Sequence, residues 1–407
     1  MIRVLHVLGG VNLGGAESRI MDLYRHMDRE QVQFDFLVHM DAAKYAQAVN
    51  EGKNPEEYRD SQHYDDEIKS LGGHIYALPK YKVYNIGAYK KAIRRFFEQH
   101  NDYSVVQGHM TSTASIYLPI AKECGLKCVI AHTRNAGVDK GLKGVIVKNL
   151  RKSLPQKSDF LFACSHLAGD ATFGGAKYTY IPNTIDTSRF LFDAEKRKEI
   201  RDKHGISDSA IVIGNVARFS PQKNQKYLLD VLALFFDTVS DKVDENTTNV
   251  DVRLIFCGDG DLKAECEEYA EKLGLSEKVI FAGNCSDVEK YYSAMDIYAF
   301  PSIYEGLPGV VVEAQASGLR CMISDTITRE VCLTDTMKVI GITEEDKKVW
   351  ADTLVQNVAA LLNTENLQND RADAAAQVRA AGFDVNDQAD KMMRFYLEPC
   401  KENLPSF

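Results

Sequence analysis

Short apolar, β-rich runs alternate with helix-like stretches along almost the whole chain, and this alternation leaves few folds open. Seven runs fall in the first half (IRVLHVL, QFDFLV, HIYAL, SVVQ, CVIA, DFLFA and YTYI) and five in the second (IVIGNVA, VRLIFCG, KVIFAG, DIYAFP and RCMIS). Strands separated by helices become parallel neighbours, because a parallel pair needs a long crossover that a helix supplies. The expected class is therefore α/β with parallel sheets. The chain has 407 residues, and a single core stops growing at roughly 250 to 300 residues, so two Rossmann-like domains are expected. The break is placed near Thr187 to Phe192, where strand pattern gives way to a polar connector ahead of the helical stretch EKRKEIRDKHG. That assigns residues 1–188 to a first domain and 189–387 to a second. The last stretch, DQADKMMRFYLEP, reads as an amphipathic helix within about 388–407. Ala42 to Asp66 is polar and without periodicity, and reads as a surface insertion.

Composition narrows the function. No apolar run approaches the roughly 18 residues of a membrane span, and the N-terminus lacks the order of a secretory signal, so a cytoplasmic location is expected. Nine cysteines occur without a CxxC pair or a zinc spacing, and read as free thiols. The net charge of −9 is unevenly divided: residues 1–186 carry +4 and the remainder −13. Lys80 to Lys157 alone holds 15 basic and 4 acidic residues, which asks for an anionic partner. Nucleic acid is a poor one, since the stretch lacks an interleaved aromatic platform and the chain is acidic. Gly141 to Ser158 interleaves Val145, Ile146, Val147, Leu150 and Leu154 with five basic residues. It reads equally as a helix on an anionic membrane surface, on the inner face of the cell membrane, or as a core helix with a solvated basic face.

The most informative stretch is PSIYEGLPGVVVEAQASG, Pro301 to Gly318. It follows the strand DIYAF and should turn helical from about Pro308, with Glu305 at the strand's carboxyl end and Glu313 about two turns along. In a doubly wound sheet ligands bind at those carboxyl ends, and a helix N-terminus offers amide donors to a phosphate. Gly306, Leu307, Gly309 and Val310 can supply them, while the two carboxylates can accept from sugar and ribose hydroxyls. The bland reading is that both glutamates are solvated charges near a helix start. Arg218 and Lys223, in the loop NVARFSPQKNQ after the strand IVIGN, could grip a diphosphate; alone they would read as surface cations.

Taken together, LGGAES, VVQGHM, IPNTID, ARFSPQKN, GDGDL and PSIYEGLPGVVVEA, in that order, closely resemble the family 4 retaining glycosyltransferases of the GT-B fold. The resemblance is strongest to those that build capsular and exopolysaccharides, and it spans nearly the whole chain. It implies two Rossmann-like domains facing each other across a cleft, with the final helix crossing back to the first. It implies that Arg218 and Lys223 hold the donor pyrophosphate, Glu305 orients donor-sugar hydroxyls and Glu313 accepts from the ribose. Gly14 and Gly15 let backbone approach the donor phosphate or the acceptor, Gly258 and Gly260 border the base, and His109 is the cleft histidine. His132, Arg134 and Asn135, just after the strand CVIA, become acceptor-side candidates. The expected co-substrate is a nucleotide sugar, UDP by default, with a saccharide or lipid-linked saccharide as acceptor. No cofactor and no divalent metal are expected, because the basic pair brings the charge a metal would supply. A sugar-nucleotide epimerase of the same fold and a non-catalytic sugar-nucleotide binder remain the alternatives.

Overall fold

The computed structural model describes residues 1–134, 141–241, 250–364 and 370–398. The chain divides into two compact units, one of residues 1–184 with 385–407 and one of residues 185–384.

The first unit is a parallel sheet of seven strands: β1 (Ile2–Val7), β2 (Val32–Met40), β3 (Ile75–Pro79), β4 (Val105–Gly108), β5 (Cys128–Thr133), β6 (Phe160–Ala163) and β7 (Thr179–Tyr180). They lie in the order β3-β2-β1-β4-β5-β6-β7, all parallel. Strand β2 is buried at every position, as a strand covered on both faces should be. One face packs on the helix Gly15–His26 and the helix Val385–Leu397, where Val4, Phe34, Phe162, Met392, Phe395 and Tyr396 share a core. The other packs on the helices Ile86–Gln99 and Thr111–Glu123. The last helix of the chain thus belongs to the first unit, as the amphipathic pattern and the resemblance imply.

The second unit repeats the plan with six parallel strands: β8 (Ile211–Val216), β9 (Val252–Cys257), β10 (Val279–Gly283), β11 (Ile297–Phe300), β12 (Arg320–Ser324) and β13 (Met337–Ile340). Their order is β10-β9-β8-β11-β12-β13. Both orders reverse direction after the first strand of the unit, the Rossmann-type pattern whose switch point opens a crevice at the strand carboxyl ends. That point lies between β1 and β4 in the first unit and between β8 and β11 in the second. The edge strand β13 is absent from the sequence reading. Its four residues are short, and only the last is buried, so it lacks the apolar run that announces a covered strand.

Ala42 to Asp66 departs from the expected irregular insertion. Asp41 caps the helix Ala42–Asn50, accepting from the amides of Ala43 and Lys44. Further on, the segment packs on the glycine-rich turn after β1. Gln62 Oε1 accepts from Val11 N at 2.7 Å, Tyr64 N donates to Val11 O at 3.0 Å, and the Tyr64 ring is buried. A polar composition hid this role, because the segment works through side-chain bonds to backbone rather than through an apolar face. Eight of the cysteines lie in described residues, and all eight are free.

Candidate active site

In the second unit the switch point gathers the loop after β8 and the loop after β11. Lys223 pairs with Glu305 Oε1, which also accepts from Gln222 Nε2 at 3.1 Å and Ser302 Oγ at 2.8 Å. Gln222 Nε2 further donates to Tyr304 O at 2.7 Å, and Ile303 N to Gln222 O at 2.8 Å, so the two loops are laced by backbone as well as side chains. The Lys223 ammonium lies 5.0 Å from the Phe300 ring centroid. Glu305 is therefore held in one orientation by three donors and is not a solvated charge.

Arg218 is placed differently. Its side chain is exposed, and among the described residues its guanidinium makes no hydrogen bond or ion pair. Its backbone is fixed: Arg218 O accepts from Gln225 Nε2 at 3.0 Å, and Gln225 is buried. Asn224, between Lys223 and the helix Gln225–Asp241, has φ of 58°, a left-handed conformation that asparagine tolerates better than most residues. Gly258 and Gly260 have φ of 142° and 149°. A Cβ on Gly260 would collide with the Phe219 carbonyl oxygen and reach 3.0 Å from Arg218 Cγ, so the glycine turn after β9 supports the Arg218 loop directly.

Glu313 sits on the helix Gly309–Ala316 and is 4% exposed. Tyr292 OH donates to Glu313 Oε2 at 2.9 Å and to Val310 O at 3.1 Å. Burial, and then the neighbouring Glu313, push the Tyr292 phenol well above its ordinary range, so it stays a donor. The helix begins at Gly309, with Pro308 as its N-cap; Gly306 and Leu307 are buried in the loop before it. The amides of Gly309 and Val310 open the first turn, where helix geometry leaves N–H groups without intrahelical acceptors.

In the first unit, His6, Gln107 and His132 near the carboxyl ends of β1, β4 and β5 meet His109 and Arg134 just beyond β4 and β5 in one polar cluster; His132, expected after its strand, is instead a buried residue within it. Arg134 Nε donates to His109 Nδ1 at 3.2 Å, and Arg134 Nη1 to Asn183 Oδ1 at 2.6 Å. His109 Nε2 lies 3.0 Å from His6 Nδ1, and the His109 and His132 ring centroids are 5.1 Å apart. Tyr396 OH donates to Gln107 Oε1 at 2.6 Å, and the Gln107 amide nitrogen is 2.8 Å from His132 Nδ1. Burial and the positive Arg134 hold His109, His132 and His6 below the usual imidazole range, His6 at about 3. All three are neutral at pH 7. With Nδ1 accepting from Arg134, the His109 proton must sit on Nε2 and point at His6. Both nitrogens of His109 are thus engaged, and a ligand that bonds it must displace one partner.

Gly14 caps the helix Gly15–His26 in an extended conformation, and a Cβ there would collide with the Glu17 carboxylate. Gly15 has open space around it, so sterics alone do not require glycine at that position. Asn135 lies outside the described residues, as do the side chains of Lys140 and Lys143. On the helix Gly141–Lys152, Arg151 Nε bonds Thr111 Oγ1 at 3.1 Å, and beyond it Lys157 Nζ bonds Ser115 O at 3.0 Å. Those two cations face a neighbouring helix, whereas Lys148 and Lys152 are exposed.

Sequence reading missed the residues that orient the others: Gln222, Ser302, Gln225 and Tyr292 in the second unit, and His6, Gln107, Asn183 and Tyr396 in the first. Ser302, Asn183, Gln107, Gln222 and Gln225 stand inside the quoted motifs PSIYEG, IPNTID, VVQGHM and NVARFSPQKNQ, and that was the available signal. Among the described residues no three His, Cys, Asp or Glu side chains are grouped to hold a metal ion, and no helix is long and apolar enough to cross a membrane.

Comparison with known proteins bears on both halves. The family model described as glycosyltransferase family 4 matches residues 13–189, and that described as glycosyl transferases group 1 matches residues 196–378. EpsF of Bacillus subtilis, named as a glycosyltransferase, is 32% identical over 88% of this chain and 88% of its own. The UDP-Gal:α-D-GlcNAc-diphosphoundecaprenol α-1,3-galactosyltransferase of Escherichia coli is 23% identical over 73% of this chain and 76% of its own. The crystal structure of HepE from Anabaena, in complex with UDP and glucose, is 15% identical and superposes with a TM-score of 0.72, covering 97% of this chain and 100% of that one.

Proposed function

The chain belongs to the GT-B glycosyltransferases that join a family 4 amino-terminal half to a group 1 carboxyl-terminal half, and from that premise we propose its reaction: transfer of a sugar, with retention, from a UDP-sugar to a saccharide or lipid-linked saccharide in surface polysaccharide synthesis. The observation that carries this reading is the second-unit site, where an oriented carboxylate and an exposed arginine, unpaired among the described residues, stand on adjacent strand ends. In the proposed reaction the Arg218 guanidinium and the Lys223 ammonium take the diphosphate and stabilise its charge as the glycosidic bond breaks. Amides of Gly309 and Val310 add donors at the helix start. Glu305 accepts from hydroxyls of the donor sugar, and Glu313, braced by Tyr292, accepts from the ribose. The departing phosphate then helps to deprotonate the acceptor hydroxyl on the same face, which preserves configuration. UDP as the donor nucleotide is supported by the names of the E. coli relative and the Anabaena structure.

The test is nucleoside diphosphate release from a panel of UDP- and GDP-sugars in the presence of membrane lipid extract. Release from one donor, falling by about 10- to 100-fold in Glu305→Ala as for loss of hydrogen bonds to a charged group worth about 1.5 to 3 kcal/mol, is the expected result. Tight donor binding with no release under any condition would favour a binding protein. His109→Ala is expected to lower turnover more than donor affinity, and Arg218→Ala both.

The two cations supply the charge for departure, so turnover is expected without added divalent metal. Complete loss in chelator, restored by manganese, would overturn that point. The basic stretch Lys80 to Lys157 is proposed to bring the protein to the anionic inner face of the cell membrane, where a lipid-linked acceptor resides; salt-sensitive co-sedimentation with anionic vesicles checks it.

A further inference from the structure

Apolar side chains left in water are unevenly placed on the first unit. Among the described residues, apart from Met1 and Leu397, every exposed large hydrophobic of this unit lies in a segment leaving the carboxyl end of a strand. Leu13 follows β1; Val83, Tyr84 and Ile86 follow β3; Val145 follows β5; and Leu167 follows β6. Because the strands are parallel, these segments share one edge of the sheet, the edge on which His109 and Arg134 sit.

The densest group is Val83, Tyr84 and Ile86, exposed by 60%, 82% and 41%. They occupy the single 3-10 turn Val83–Asn85 and the start of the helix Ile86–Gln99. The turn is pinned from within: Asn85 Oδ1 accepts from Lys82 N at 2.8 Å, and Asn85 Nδ2 donates to Lys80 O at 2.9 Å. Tyr89, one turn on, is buried and anchors the helix to the sheet. The apolar tips are thus held outward by a braced turn.

Their setting is cationic. Residues 80–95 contain six Lys and Arg and no Asp or Glu. Lys80, Lys82, Lys90, Lys91 and Arg95 are exposed, while Arg94 is tied to Glu123. The Lys82 ammonium stands 5.7 Å from the Tyr84 ring centroid. An apolar tip ringed by lysines is depleted of what a protein interface core uses, since such cores exclude lysine. A single exposed tyrosine offers no stacking series to nucleic acid. An anionic bilayer matches both parts: aliphatic side chains reach the acyl boundary, tyrosine sits at the headgroup level, and ammonium groups meet lipid phosphates.

We propose that the turn Val83–Asn85, with Ile86, inserts into an anionic lipid surface, so that the carboxyl edge of the first unit faces the membrane that carries the acceptor. This rests on the membrane contact proposed above and adds to it a specific point of entry and an orientation.

The experiment uses vesicles of phosphatidylglycerol and phosphatidylcholine. Wild type is expected to co-sediment at low salt and to retain a salt-resistant fraction from apolar insertion. The triple variant Val83→Ser, Tyr84→Ser, Ile86→Ser should bind at least about tenfold more weakly and lose the salt-resistant fraction. Its melting temperature and its transfer to a water-soluble acceptor should not change, because all three side chains are exposed. In a second measurement Tyr84→Trp is read against brominated lipid, with Leu234→Trp in the second unit as control. Quenching at position 84 and not at 234 supports insertion. Binding by the triple variant equal to wild type, with no quenching at 84, overturns insertion while leaving electrostatic membrane contact in place. Failure of the wild type to bind anionic vesicles at all overturns both, and leaves the glycosyltransferase reading untouched because transfer to a water-soluble acceptor needs no vesicle binding.

Discussion

The histidine cluster makes a prediction at the level of single groups. His6 is neutral in the folded state down to about pH 3, whereas its unfolded form takes up a proton near the ordinary value of 6.5. Between those values the unfolded chain binds more protons, so stability falls as pH falls through the window and is fully present above it. The slope is about 1.4 kcal/mol per pH unit for each such imidazole. His109 and His132 shift in the same direction. Urea midpoints for the first unit should therefore drop between pH 7 and pH 5, and His6→Gln should make the drop shallower by about one imidazole's share. An unchanged slope in that variant would mean that His6 titrates normally. On the second unit, Ser302→Ala removes one of three donors to Glu305 and is expected to weaken donor turnover by less than Glu305→Ala does. If the two variants are equally impaired, Ser302 has a role that its hydrogen bond does not explain.

At the level of elements, the glycine turn after β9 is the most exposed to test. Gly260 combines a φ of 149° with backbone at its α-carbon, so an added Cβ can neither relax the conformation nor avoid the Phe219 carbonyl. Gly260→Ala is expected to destabilise the second unit by about 2 to 4 kcal/mol, at the upper end for single substitutions, through left-handed strain and overlap together. Gly15→Ala is the internal comparison: with open space and an ordinary helical start, it should leave stability nearly unchanged or raise it slightly, since alanine favours helix. Thermal melts of the two variants decide the matter. A Gly260→Ala protein as stable as wild type would show that the turn can be rebuilt, and that its support of the Arg218 loop is dispensable.

Across the whole molecule, the last helix is distant in sequence but not in the fold. Ending the chain at Asp384 would strip Met392, Phe395 and Tyr396 from the first unit's core. Each large buried side chain contributes about 2 to 5 kcal/mol, and three of them approach the 5 to 15 kcal/mol that a whole domain typically has. The truncated chain is expected to lose protease resistance over residues 1–184 while residues 185–384 remain protected, as limited proteolysis with mass mapping would reveal. Equal resistance of both units would remove the final helix from the structural account. Tyr396→Phe is the milder probe, leaving Gln107 Oε1 without its donor, and should destabilise the first unit by about 1 to 3 kcal/mol.

The sequence by itself determined the parallel α/β class, twelve of the thirteen strands among the described residues, the resemblance to the family 4 glycosyltransferases of the GT-B fold, and the amphipathic final helix. These are written in local periodicity and in short motifs whose chemistry lies within a few residues. It also named Glu305 and Lys223, each from its own loop, but the bond between them spans 82 positions and was visible only once β8 and β11 lay side by side. Tertiary structure alone decided that Glu313 is buried against Tyr292, that the Arg218 side chain is unpaired among the described residues, that His109 has both nitrogens engaged, and that Tyr396 reaches Gln107 across 289 positions. The polar stretch after β2 belongs with them, since its value lies in bonds from Gln62 and Tyr64 to a turn some fifty residues earlier. The division has one physical cause. Periodicity reports which side of an element meets the core, whereas the partner of a buried polar group depends on which strands become neighbours, and in a parallel sheet those neighbours are joined through long crossovers that local sequence does not encode.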